Sequence, residues 1–181
     1  MVLICLLRGV NVGGHHKIRM EELRALFAER LGYQNPRTFI QSGNVVFEVR
    51  GGKKEVAITD EIEKAIEAHF GFHSDVILRS PSEMAGVIER NPFVGRPALD
   101  PSRLVVTFLS RIPDADARVR LEFVDPAGEE LYLIGRELYM YFRDGQGKTK
   151  LSLPKVARAL GEAGTARNWN SVLKLEEMAR A

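Results

Sequence analysis

The chain has 181 residues, enough for one compact domain or two small ones and too few for a large multidomain enzyme. Apolar residues at 45% and charged residues at 28% describe an ordinary globular protein and argue against disorder. With 26 Lys+Arg against 24 Asp+Glu the net charge is +2, so total charge announces neither a nucleic-acid nor a membrane partner.

One cysteine, Cys5, excludes an internal disulfide framework and a cysteine-rich zinc site, and fits a reducing, cytoplasmic location. The apolar start at residues 2–7 is too short for a secretory segment, and its first charge, Arg8, follows the run instead of preceding it. No stretch reaches the roughly 20 apolar residues of a membrane-spanning helix, so a soluble protein is expected.

Residues 3–8, apolar without alternation as far as Arg8, predict a strand covered on both faces and central in its sheet. A loop runs from Gly9 to Arg19. Met20, Leu23, Leu26, Phe27 and Leu31 then recur at helical spacing, with Glu21 and Glu22 in the first turn and Gly32 as the stop. Residues 38–40 and 45–49 predict strands around the turn Gln41-Ser42-Gly43-Asn44, where Gly and Asn accept positive φ. Ile58, Ile62, Ala65, Ile66 and Phe70 mark a second helix closed by Gly71, and residues 75–78 a fourth strand. The order β-α-β-β-α-β is that of a ferredoxin-like, split βαβ unit over residues 1–80.

Ser80-Pro81-Ser82-Glu83 opens a short helix, and residues 92–101, with three prolines and a glycine, read as a linker. Residues 81–102 therefore separate the first unit from a second over 103–181. That second half predicts a strand at 104–109, a helix near 113–122, a hairpin of 130–134 and 138–142, and helices at 153–160 and 168–179. It repeats the first half as β-α-β-β-α-α, with a helix where a fourth strand would close the pattern. The fold class is α+β.

Resolved along the chain, the charge is uneven. Residues 1–50 carry 7 basic and 4 acidic groups, residues 51–140 carry 11 and 16, and residues 141–174 carry 7 and 2. Each positive segment holds a glycine-rich loop. The first, Arg8 to Arg19, contains Gly9, Asn11, Gly13, Gly14, His15, His16 and Lys17 between a strand end and a helix start, a setting in which amides and cations can converge on an anion. Its glycines match neither a dinucleotide fingerprint nor a phosphate-binding P-loop. The second is Arg143-Asp144-Gly145-Gln146-Gly147-Lys148-Thr149-Lys150, which resembles the end of a P-loop but has Phe142 where the first glycine is required.

In a βαββαβ unit the turn 41–44 and the end of the second helix lie at the same end as the first loop. Arg8, Gly9, Asn11, Gly13, Gly14, Lys17, Arg19, Gln41, Ser42 and Asn44 are therefore expected to form a ligand-binding cluster, with Lys148 as an additional cation. The alternative is that Ser42 and Asn44 only close their own turn. No metal site is expected: Gly71 breaks the helical spacing of His69 and His73, and His15-His16 lacks carboxylates nearby. Cys5 reads as a small core hydrophobe, and no catalytic residue or cofactor is assigned.

Leu7-Arg8-Gly9-Val10-Asn11-Val12-Gly13-Gly14, Met20 and Arg37-Thr38-Phe39-Ile40-Gln41-Ser42-Gly43-Asn44-Val45-Val46-Phe47 closely resemble the opening of the bacterial family called domain of unknown function 1697. Asn91-Pro92-Phe93, residues 144–148, and Thr165-Ala166-Arg167-Asn168-Trp169-Asn170-Ser171-Val172 with Lys174-Leu175 resemble its later motifs. His15 stands where a lysine is more usual in such sequences. The resemblance implies a two-part α+β fold with ferredoxin-like character and brings no activity. The leading expectation from the residues is binding of a phosphate-bearing small ligand or nucleotide, whether or not a reaction follows. A nucleic-acid partner that stacks on Tyr139, Tyr141 and Trp169 is the first alternative, and a protein-interaction module without ligand the second.

Overall fold

The computed structural model describes all 181 residues and divides into two compact units, one comprising residues 1–85 and 174–181, the other residues 86–173. Each is built on a four-stranded antiparallel sheet with helices, an α+β architecture. No helix is long and apolar enough to cross a membrane.

In the first unit, β1 (Val2–Leu7), β2 (Gln34–Phe39), β3 (Asn44–Glu48) and β4 (Val76–Arg79) lie in the order β2-β3-β1-β4. This is the arrangement of a split βαβ unit, with β3 inserted between β1 and β2. β1 is central, paired with β3 from Val2↔Glu48 to Leu6↔Asn44 and with β4 from Ile4↔Arg79 to Leu7↔Val76. Its continuous apolar run is explained by that position: Ile4, Cys5 and Leu6 are all fully buried, so neither face meets water. β2 is longer than the periodicity predicts and runs through Pro36, whose missing donor is tolerated on an edge strand where the register is irregular.

Helix α1 (Met20–Ala25) continues through a π-helical turn, Leu26–Arg30, and α2 (Glu55–Phe70) ends at Gly71 in the left-handed conformation. Their apolar positions Leu23, Leu26, Phe27, Ile58, Ile62 and Ile66 join Leu3, Cys5, Leu7, Val45 and Phe47 in one core. Phe27 meets Phe47 and Tyr33 edge-on, at ring separations of 5.1 and 6.0 Å.

Helix α3 (Pro81–Glu89) leads into the second unit, where β5 (Leu104–Leu109), β6 (Glu130–Ile134), β7 (Glu137–Tyr141) and β8 (Gly164–Asn168) take the order β6-β7-β5-β8. Helices α4 (Ala117–Glu122), α5 (Leu153–Leu160) and α6 (Trp169–Arg180) complete the chain. The second half thus departs from the expected β-α-β-β-α-α: β8 supplies a fourth strand, paired with β5 from Val105↔Asn168 to Leu109↔Gly164, before the terminal helix. The two sheets have the same order of strands, and the chain order in both is β-α-β-β-α-β. Helix α4 is also shorter than expected and starts only at Ala117.

Burial and a hydrogen bond to Glu61 raise the Tyr33 phenol well above its ordinary pKa of 10.0, and burial with the nearby Glu137 charge does the same to Tyr139. Both are neutral in the fold. Their contribution to stability is complete below the unfolded value and drains away as pH climbs past it toward the raised folded values. In an ultraviolet titration, two of the 4 tyrosines should therefore ionise only as the protein unfolds. Free titration of all four in folded protein would contradict this.

Candidate functional site

The end of β1 lies between the starts of β3 and β4, because both neighbours run antiparallel to it. The Leu7 amide donates to the Gly43 carbonyl at 2.9 Å, and the Arg8 amide to the Asp75 carbonyl at 3.0 Å. The glycine-rich loop, the 41–44 turn and the segment after α2 consequently meet at one end of the first sheet. Of the residues expected there, Arg8, Gly9, Asn11, Gly13, Gly14, Lys17, Arg19, Gln41, Ser42 and Asn44 are all in or beside this cluster. Lys148 belongs to the second unit, where it closes a 3-10 turn, Gln146–Lys148.

Asn11 joins the loop to the turn. Its Nδ2 donates to the Gln41 carbonyl at 2.7 Å and the Ile18 carbonyl at 3.0 Å, while its Oδ1 accepts from the Ile18 amide at 2.9 Å. The residue sits at φ 55°, a conformation that asparagine tolerates better than most side chains. Asn44 is fully buried, with Nδ2 donating to the Phe39 carbonyl and to Ser42 Oγ. Turn closure therefore occupies the Asn44 side chain, as the alternative reading of residues 41–44 anticipates. Ile40, a β-branched residue at φ 48°, enters this turn in a conformation that costs on the order of 1 kcal/mol. Nothing in the sequence pattern announces it.

Beyond Asn11 the loop is exposed from Val12 to Lys17. The amides of Gly13, Gly14 and Lys17 donate to no protein acceptor, and the His16 ring stacks on Phe72 at 4.2 Å. The cations differ in their commitments. Arg8 uses Nη1 on Asp75 Oδ2 at 2.7 Å, and Arg19 pairs with Glu22 at 3.0 Å, whereas Lys17 has no ion pair. The Arg8 hydrogen bond holds the Asp75 carboxyl below its usual range, opposed by partial burial and assisted by His73, whose Nε2 is 3.2 Å from Asp75 Oδ1. Asp75 is the member of this cluster that sequence reasoning misses. Antiparallel pairing of β4 with β1 was the signal that could have found it, since the start of one must flank the end of the other.

The second basic loop has a different economy. Thr149 Oγ1 donates to Glu129 at 2.7 Å, and the Arg143 amide donates to the same carboxylate at 2.9 Å. The hydroxyl that would face a cation in a P-loop is thus engaged within the unit. Tyr139, Tyr141 and Trp169 are 0%, 8% and 7% exposed, so none of them offers a ring face for stacking a base.

A two-part chain with two four-stranded antiparallel sheets of identical strand order defines the class, an α+β protein. The chain belongs to the family described as Protein of unknown function (DUF1697), whose model matches residues 1–139. The structure is similar to that of conserved bacterial protein SP0830 from Streptococcus pneumoniae, with a TM-score of 0.78 at 23% identity over 99% of this chain and 98% of that one. No curated protein matches the chain.

Proposed function

We propose that the protein binds a phosphate-bearing small ligand at the 8–19 loop and the 41–44 turn. What supports this reading is the Asn11 clamp: one hydrogen bond of 2.7 Å to the Gln41 carbonyl ties the loop to the turn, and two of 3.0 and 2.9 Å with Ile18 close the loop on itself. A prearranged loop spares a ligand part of the ordering cost. The free amides of Gly13 and Gly14 lie four and three positions from the unpaired Lys17, a combination that suits phosphate oxygens. Arg8 spends one guanidinium nitrogen on Asp75 and is half exposed, which leaves further donors for an anion. Lys148 is not required. The buried aromatic residues leave nucleic acid without its stacking surface, so the small ligand is preferred.

A thermal-shift screen of inorganic phosphate, sugar phosphates and mono- and dinucleotides tests the proposal. At saturating ligand the melting temperature should rise by a few degrees, and Lys17→Ala should weaken binding by about tenfold. If none of these ligands stabilises the chain, or Lys17→Ala binds them as tightly as the parent does, the reading is wrong.

A further inference from the structure

We propose that Glu63, His73 and Asp75 bind a divalent transition-metal ion. This site adjoins the phosphate site through the Arg8–Asp75 pair but does not depend on that reading. Glu63 lies on α2, while His73 and Asp75 flank Ser74 in the segment between α2 and β4, so the fold gathers the set from a helix and the following turn. Each residue offers one ligand atom, and the three atoms lie within 4.8 Å of one another.

The spacing of the donors matches what one ion requires. Two donors bound at about 2.1 Å to one ion, at octahedral to tetrahedral angles, are roughly 3.0–3.4 Å apart. The Nε2 of His73 and Oδ1 of Asp75 are 3.2 Å apart, which meets that requirement without movement. The carboxylates are also held from behind. Glu63 Oε1 accepts the Val76 amide at 2.9 Å, and Asp75 Oδ2 accepts Arg8 Nη1 at 2.7 Å, leaving each carboxylate its other oxygen for an ion. Such outer contacts orient ligands in metal sites.

The donor chemistry selects the ion. One imidazole with two carboxylates suits Zn2+, Co2+ or Mn2+ better than Mg2+ or Ca2+, which take oxygen alone. Two carboxylate charges exceed the single charge of Arg8, so the local balance still favours a cation. Three protein ligands leave coordination positions for water or an external ligand, and His73 is on the exposed side of the set. Helical spacing of His69 and His73 had no part in this: the partners of His73 are carboxylates.

The full chain, stripped with chelator and exchanged into phosphate-free buffer, is titrated with Co2+ and followed by visible absorption, then with Zn2+ by calorimetry. One equivalent should bind, with ligand-field bands for Co2+. Glu63→Gln and His73→Gln should each weaken binding by about tenfold or more, with metal-free circular dichroism unchanged. The double variant His15→Gln/His16→Gln should bind as the parent does. The proposal is overturned if the parent binds no equivalent, if both single variants bind as tightly as the parent, or if the His15/His16 variant is the one that loses the ion. Because no phosphate is present, none of these results bears on the anion reading.

Discussion

Replacing Gly43 with alanine should destabilise the protein by about 2–4 kcal/mol, a large share of the roughly 5–15 kcal/mol that holds a domain folded. Two costs add. At φ 71° the backbone is in the left-handed region, where a Cβ is unfavourable by about 1 kcal/mol or more. That Cβ would also stand 2.5 Å from Val10 Cγ2 and 2.7 Å from Leu7 Cβ, far inside contact distance. Val10 could turn away, but Leu7 Cβ is fixed by the backbone of β1, so the turn itself has to move. Its displacement would stretch the bond from the Leu7 amide to the Gly43 carbonyl and the bond from Asn11 to Gln41. Urea unfolding measures the loss, and hydrogen exchange should show the Leu7 amide opening first. Gly14→Ala is the comparison: φ is 81° there but no atom lies within 4 Å, so only the conformational cost applies. Equal effects at the two positions would show that close approach at Gly43 contributes nothing.

The first unit was legible in the sequence because its elements announce themselves by apolar period. The run at residues 3–8 implies a strand buried on both faces, and chain order then fixes which loops share an end of the sheet. That inference brings the 8–19 loop and the 41–44 turn to one end of the sheet, where Asn11 reaches the Gln41 carbonyl. What stayed hidden rests on polar residues, whose partners no apolar period reveals. β8 reads Gly-Thr-Ala-Arg-Asn, with no apolar alternation, since its inward positions are Thr165 and Arg167 at 6% exposure each. Arg167 Nη1 is satisfied by Thr165 Oγ1 at 2.7 Å and the Ala166 carbonyl at 2.9 Å, so the strand is stable without the hydrophobic signature of one. Arg8 and Asp75 are likewise partners across 67 positions, and only the register of β4 makes them neighbours. The sequence also counts Arg8, Lys17 and Arg19 as equal cations, whereas the fold pairs two of them and leaves Lys17 apart. Aromatic residues mislead in the opposite sense: Tyr139 looks available on a hairpin, yet its hydroxyl donates to the Val87 carbonyl at 2.7 Å inside the unit.

Phe27→Ala should have the largest effect of any single truncation in the first unit, about 3–5 kcal/mol. Phe27 is fully buried in the π-helical turn that follows α1, and its ring fills the space between Phe47 on β3 and Tyr33 before β2. Alanine removes the ring's transfer energy and leaves a cavity whose Phe47 and Tyr33 walls are both held in place. β3 is hydrogen-bonded to both neighbouring strands, and Tyr33 is anchored by its hydroxyl to Glu61 at 2.8 Å. Walls so constrained cannot collapse, which puts the cost near the upper part of the range for such truncations. The wide turn adds to the sensitivity, because the Leu31 amide reaches back to the Leu26 carbonyl and the Tyr33 amide to the Phe27 carbonyl around this one side chain. Phe123→Ala supplies the control: at 86% exposure its loss should change stability by no more than about 0.5 kcal/mol. Urea midpoints of the two variants decide the matter, and a Phe27→Ala effect below about 1.5 kcal/mol would mean that the core relaxes around the missing ring after all.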